Sequence, residues 1–151
     1  VYDSLYFRPL NFIPKSNDYF FVEKLHNVVS QLFNEMKQNT TIVLENKEIG
    51  RVALMIKDIY YIQSCKHYIL YYSEGRDPIK IRGNLSEAEE YFSSFDFVKI
   101  HKSYIVNLRH IFNIDKKMDE IIFKQGFRLN MSKNYKKQVD EKLTEYLRRT
   151  K

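Results

Sequence analysis

Three short polar steps, each set between apolar runs, carry the side chains with chemistry to offer: Cys65-Lys66-His67, His101-Lys102-Ser103 and Ser132-Lys133-Asn134. His101 and Ser103 put an imidazole near a hydroxyl, but nucleophilic catalysis also needs an orienting carboxylate, and none is evident beside them. Cys65, followed by Lys66 and His67, would suit a thiol of lowered pKa. A lone cysteine near a strand end is more ordinarily a packing residue. Asp115, Asp119 and Glu120 offer oxygen ligands to a cation, although a solvated turn accounts for them better. With four scattered Gly, neither G-x-G-x-x-G nor a P-loop can be written. The single Cys excludes an internal disulfide framework or a multi-thiolate metal site and fits a reducing compartment. These residues therefore predict no enzyme: no catalytic residues, no metal and no cofactor.

The basic residues point elsewhere. Lysine can donate to the O6 and N7 of guanine, and a neutral histidine can donate or accept. His67 and Lys102 fall at strand edges or loops, from which a side chain can enter a groove. Lys133, Lys136 and Lys137 cluster where the last helix should begin, and a helix N-terminus offers free N–H groups to phosphate. An ordinary solvated lysine face has the same pattern. The formal charge of +6 is unevenly placed. Residues 1–50 hold five Lys/Arg against six Asp/Glu, whereas from Lys99 onward there are fourteen against six, a net of +8. Such a field concentrates polyanions near the chain, and neutralising DNA phosphates releases counterions.

The elements that must position these residues follow from periodicity. At 151 residues, with 44% hydrophobic and 29% charged residues, the chain holds one ordinary domain, or a small one plus a fragment, and is not a disordered sequence. A short strand at Leu10-Asn11-Phe12-Ile13 stops at Pro14. After a cap at Ser16 or Asn17, an apolar stripe at Phe21, Leu25, Val28, Val29, Leu32, Phe33 and Met36 predicts a helix to about Gln38. From Thr41 the period shortens, and strands are expected at 41–44, 51–56, 59–62, 68–72 and 79–82. A helix capped by Asn84 or Ser86 interrupts them. Strands resume at 97–100, 103–107, 111–114, 120–124 and 127–131, and a final helix carries Tyr135, Val139, Leu143 and Leu147. No apolar run approaches the roughly 18 residues a membrane helix needs, and no signal peptide is visible. The expectation is a cytoplasmic protein with no membrane partner; its opening on Val1 rather than Met suggests a piece of something longer.

The order of pieces resembles a known family. Asp58-Ile59-Tyr60-Tyr61-Ile62-Gln63-Ser64 followed by Lys66-His67-Tyr68 resembles the opening of the LytTR DNA-binding domain, and Asn84-Leu85-Ser86-Glu87 is similar to its leucine-plus-acidic helix. Phe97-Val98-Lys99-Ile100-His101-Lys102-Ser103-Tyr104-Ile105-Val106-Asn107 fits the pattern F-x-R-x-H-R/N-S-[FY]-[IVL]-V-N, and Met131-Ser132-Lys133-Asn134-Tyr135 fits V/I-S-R-x-Y. The resemblance spans roughly Thr41 to Leu147. It implies a mainly β fold, an elongated arrangement of antiparallel strands with short helices, that inserts loops into successive major grooves of duplex DNA. Carried over by position, it makes His67, Lys102 and Lys133 the base-contact candidates. Lys66, Ser103, Asn134, Lys136 and Lys137 become backbone clamps, and His101 and Asn107 structural members of the motif. Lysine stands at 102 and 133 where Arg or Asn is common in the family, so phosphate contact rivals bidentate base readout there.

The first forty residues resemble the last strand and helix of a response-regulator receiver domain, with Lys15 where receivers carry their phosphoryl-contacting lysine. That implies residues 1–39 as a receiver remnant, a βα unit making the whole α+β, and residues 40–151 as the DNA-binding domain. It also implies a two-component regulator of transcription whose full-length form answers a cognate sensor histidine kinase and binds paired repeats in promoter DNA as a homodimer. In that case the apolar face of the first helix must bury itself against the DNA-binding domain or another copy. Two other readings compete. One is single-stranded nucleic-acid binding through the 23 aromatic residues, most of which alternate as core positions would. The other is a protein-interaction module that shares only the fold.

Overall fold

The computed structural model describes residues 18–150. The strand expected at residues 10–13 and the candidate Lys15 lie outside that range. Within it, the chain order is α1 (Asp18–Gln38), β1 (Thr41–Asn46), β2 (Gly50–Met55), β3 (Ile59–Cys65), β4 (Tyr68–Ser73), β5 (Ile79–Arg82), α2 (Leu85–Phe92), β6 (Phe97–His101), β7 (Tyr104–Asn107), β8 (Ile111–Asp115), β9 (Glu120–Phe123), β10 (Arg128–Asn130) and α3 (Lys136–Thr150). Every strand pairing is antiparallel. The fold is mainly β, with three sheets: β1–β2, the central β5-β4-β3-β7-β6, and β10-β9-β8.

Local sequence explains the ends of these elements. The β1–β2 turn closes because the Asn46 side-chain oxygen accepts the Glu48 and Ile49 N–H groups at 2.9 and 2.7 Å. Gly50 completes it at φ 71°, a value that glycine adopts without a Cβ clash. Asn84, not Ser86, caps α2 by accepting the Glu87 N–H at 2.9 Å. Among the boundaries that differ from the periodicity reading, three bear on the turns. Ser103 falls in the β6–β7 turn, β10 keeps only three residues, and Lys133–Tyr135 form a 3-10 turn ahead of α3. All three lie where the chain leaves its ladder for other partners, which alternation cannot register.

The β3-β7-β6 part of the central sheet is buried on both faces. Ile59, Ile62, Phe97 and Ile105 pack with Ile42, Leu44, Leu54 and Phe92 on the side of β1–β2 and α2. Val98, Ile100 and Val106 pack with Ile121, Phe123 and Val139 on the side of β8–β10 and α3. Consecutive residues 97/98 and 105/106 thus feed opposite layers, as pleating requires. Each fully buried Ile or Phe contributes on the order of 2 kcal/mol. Tyr61 and its neighbours fill the seam to the three-stranded sheet, stacked on Tyr72 at 4.3 Å and 5.9 Å from Phe123. Burial, reinforced by the Tyr72 and Tyr104 phenols, pushes the Tyr61 hydroxyl up to about 12.

Helix α1 meets this body through its polar flank. Gln38 is buried and donates to the Phe95 carbonyl at 2.7 Å. Asn34 accepts from Arg149 at 3.2 Å, and Glu35 pairs with Arg109 at 3.7 Å. The apolar stripe turns away, with Leu32 59% and Met36 66% exposed. Of the two covers expected for this stripe, the DNA-binding domain does not supply one, which leaves another copy of the chain. The body's core is closed without the stripe, and Arg109 and Arg149 select the polar side.

Candidate nucleic-acid interface

The central-sheet register brings the candidate residues to one end of the fold. Cys65 pairs with Tyr68, leaving Lys66 and His67 as a two-residue turn between β3 and β4. His101 pairs with Tyr104, leaving Lys102 and Ser103 between β6 and β7. Because β3 and β7 are antiparallel neighbours, with Gln63 opposite Tyr104, the two turns adjoin. The Ser64 N–H donates to the Ser103 carbonyl at 2.9 Å and welds them. On the outer side of β6, the Ser132 N–H donates to the Ile100 carbonyl at 2.8 Å, and this sets Lys133 and Asn134 beside the Lys102 turn. Residues that are 66 positions apart in the chain share one edge.

The turns are held rigidly by backbone and side chain. Lys66 sits at φ 58°, in the left-handed region, which costs a lysine on the order of 1 kcal/mol. The His67 carbonyl accepts the Gly83 N–H at 3.0 Å, bringing the end of β5 and the exposed Arg82 to the same edge. The His101 Nδ1 accepts the Ser103 N–H at 3.1 Å. An accepting Nδ1 leaves the ring proton on Nε2. The imidazole engages the serine backbone, not its hydroxyl, so the pair is a turn brace and not a nucleophile with its base. Asn107, at the other end of β7, is wholly buried. Its amide nitrogen donates to the Ile59 and Ile56 carbonyls at 3.0 and 3.3 Å, and its oxygen accepts the Arg109 N–H at 3.1 Å.

The charges at this end divide into paired and free. Lys136 forms an ion pair with Asp119, so the clamp expected at 136 is engaged within the protein. Arg128 pairs with Asp115 at 3.2 Å and Glu120 at 3.4 Å. Hydrogen bonds from the Met118 and Lys117 N–H groups, with Arg128, hold the Asp115 carboxyl below its ordinary value. Asp115, Asp119 and Glu120 thus have cationic partners, and the described residues contain no group of three or more metal-ligating side chains. Lys66, His67, Lys102, Lys133, Asn134 and Lys137 are exposed, and none of those four lysines has an ion pair among the described residues. Cys65, expected as packing, is exposed because it ends β3 at this edge. The most exposed rings, Tyr19, Phe20 and Phe112, lie on α1 and β8, away from the turns.

The model of the LytTr DNA-binding domain family matches residues 50–144. The chain belongs to the LytTR family of DNA-binding domains. Its fold is similar to a solved LytTr DNA-binding domain, from a protein described as a methyl-accepting/DNA response regulator of Bacillus cereus. The two share 20% identity and a TM-score of 0.60 over 69% of this chain and 96% of that one. A search of curated proteins found no match. The LytTR span begins at the start of β2 and ends within α3, so it contains all the edge residues named above, while α1 and β1 precede it. Among the described residues, no helix is long and apolar enough to cross a membrane.

Sequence reasoning named the residues of three turns and missed what adjoins them. Arg82 reaches the edge only because β5 pairs with β4, Tyr68 opposite Arg82. The 116–119 turn reaches it because Asn130 pairs with Glu120. No local signal in either segment announces that placement.

Proposed function

We propose that this LytTR domain reads a specific sequence in double-stranded DNA by presenting its turns to successive major grooves. His67, Lys102 and Lys133 contact base edges. Lys66, Ser103, Asn134 and Lys137 hold the backbone, while Lys136 stays with Asp119. The observation that carries this reading is the row of turns itself, rigid, exposed and unopposed by carboxylates. Turns centred between β3 and β4 and between β6 and β7 stand roughly 10 Å apart, two strand spacings. Lys133, beyond β6, lengthens the row past the about 12 Å width of one major groove. A row longer than one groove must cross a phosphate ridge, which explains why backbone clamps alternate with base-reading candidates.

In the same reading, residues 40–151 are the output domain of a two-component response regulator. Residues 1–39, with Lys15, are the end of its receiver, and a sensor histidine kinase acts on the full-length protein. Two copies occupy paired repeats in promoter DNA.

The test is binding to a duplex carrying paired LytTR-type repeats and to a scrambled duplex, at two salt concentrations. Specific binding should exceed non-specific binding by about a thousandfold or more. Lys102→Ala and Lys133→Ala should each lose about 1–3 kcal/mol of discrimination at particular base pairs. A uniform loss would reassign that lysine to phosphate, and no loss would remove it from the interface. Preference for single strands, or binding to neither duplex, would overturn the proposal.

A further inference from the structure

The β8–β9 turn belongs to the same edge, and no part of the reading above uses it. Two contacts place it there. The Met131 N–H donates to the Asp119 carbonyl at 2.7 Å, one residue before the segment that Ser132 fastens to β6. The Asp119 carboxylate takes Lys136. The turn is internally braced as well, since the Asp115 side chain accepts the Lys117 and Met118 N–H groups, both at 3.1 Å. Its acids are already committed, Asp115 and Glu120 to Arg128 and Asp119 to Lys136. Lys116 and Lys117 are exposed and have no ion pair among the described residues. Two adjacent ammonium groups on a rigid turn, with every local carboxylate occupied, form a preorganised site for a polyanion.

We infer that Lys116 and Lys117 are a further phosphate clamp, gripping the DNA backbone on the flank of the site beyond Lys133. This rests on the DNA-reading proposal. Hydrogen bonds from lysine to phosphate fix register without reading sequence, so the clamp lengthens the footprint and leaves specificity alone.

The test compares the chain with Lys116→Ala/Lys117→Ala and with a charge-matched control, Lys57→Ala/Lys124→Ala. In the control, Lys57 precedes β3 and Lys124 follows β9, at the opposite ends of those strands. Affinities for the repeat duplex and the scrambled duplex are measured across a salt series, and the repeat complex is footprinted. Losing two phosphate contacts should shorten the slope of log K against log[salt] by about 1.8. Affinity should fall by a similar factor on both duplexes, and protection should retreat at one flank. The control should keep its slope and footprint. An unchanged slope in the 116/117 variant, with the parent binding normally, overturns the clamp alone, as does an equal change in the control. A parent chain that binds neither duplex overturns the clamp together with the DNA-reading proposal.

Discussion

Replacing Asn107 by Ala separates a structural role from a DNA-contacting one. The side chain is wholly buried next to Ile56 and Ile59, both also without exposure. Its loss removes three hydrogen bonds, from the Ile59 carbonyl, from the Arg109 N–H and from the Ile56 carbonyl, which keeps the Ile59 N–H. At about 1 kcal/mol per hydrogen bond, and more where a buried group is left unpaired, the cost is about 3–5 kcal/mol. For a domain of this size that lowers the melting temperature by about 10–20 °C. Urea unfolding should show a lower midpoint at constant slope, the mark of lost stability without a changed denatured state. Asn107→Asp should cost at least as much at neutral pH, because a carboxylate then faces the Ile59 and Ile56 carbonyls. Acid should partly relieve it, since a protonated carboxyl can donate to one of them. Asn107 ends β7 and Lys102 precedes its start, about 10 Å of strand away. Well below its melting temperature, the folded variant should therefore keep the parent's ratio of specific to non-specific DNA binding. A loss under about 1 kcal/mol would refute the hydrogen-bond accounting. A folded variant that no longer discriminates sequence would refute the structural assignment.

Lys66→Gly should raise stability by about 1 kcal/mol, by relieving the left-handed backbone, while weakening DNA binding. Paired urea titrations and binding isotherms check this, and a fall in stability would show that the lysine stem packs. His101→Ala removes the acceptor that braces Ser103, so specific affinity should drop by about tenfold while thermal stability changes little; His101→Asn, which restores a side-chain oxygen, should recover part of it. His110 tests acid sensitivity. Burial lowers its pKa below the ordinary 6.5, outweighing the opposing hydrogen bond from its Nε2 to the Lys57 carbonyl. The unfolded chain therefore takes up the proton first, so this contribution is full above about pH 6.5 and declines as pH falls below it. His110→Gln keeps an N–H donor and should flatten that decline in melts between pH 7.5 and 5; an identical pH profile would place the acid sensitivity elsewhere.

Much of the architecture was legible because it is written in local periods. The alternation at Ile79-Lys80-Ile81-Arg82 matches β5 residue for residue, and the stripe from Phe21 to Met36 lies within α1. What escaped was decided by partners remote in sequence. Cys65 near a strand end reads as a packing residue, but β3 ends with it at the exposed edge. The α1 stripe reads as a core face, yet two arginines at 109 and 149 dock the opposite flank. Lys136 reads as one of three equivalent lysines until Asp119 is brought against it.

The sequence by itself determined the kind of element along most of the chain and which side chains carry charge, donors and acceptors. Hydrophobic period, caps and turn chemistry act over a few neighbours, and donor and acceptor capacity belongs to the side chain. Only the tertiary structure decided that turns at 66–67, 102–103, 116–119 and 131–134 share one edge, and which of their charges stay free. Strand register and ion pairing join positions tens of residues apart, and their energies depend on the geometry of the closed fold, which no local window contains.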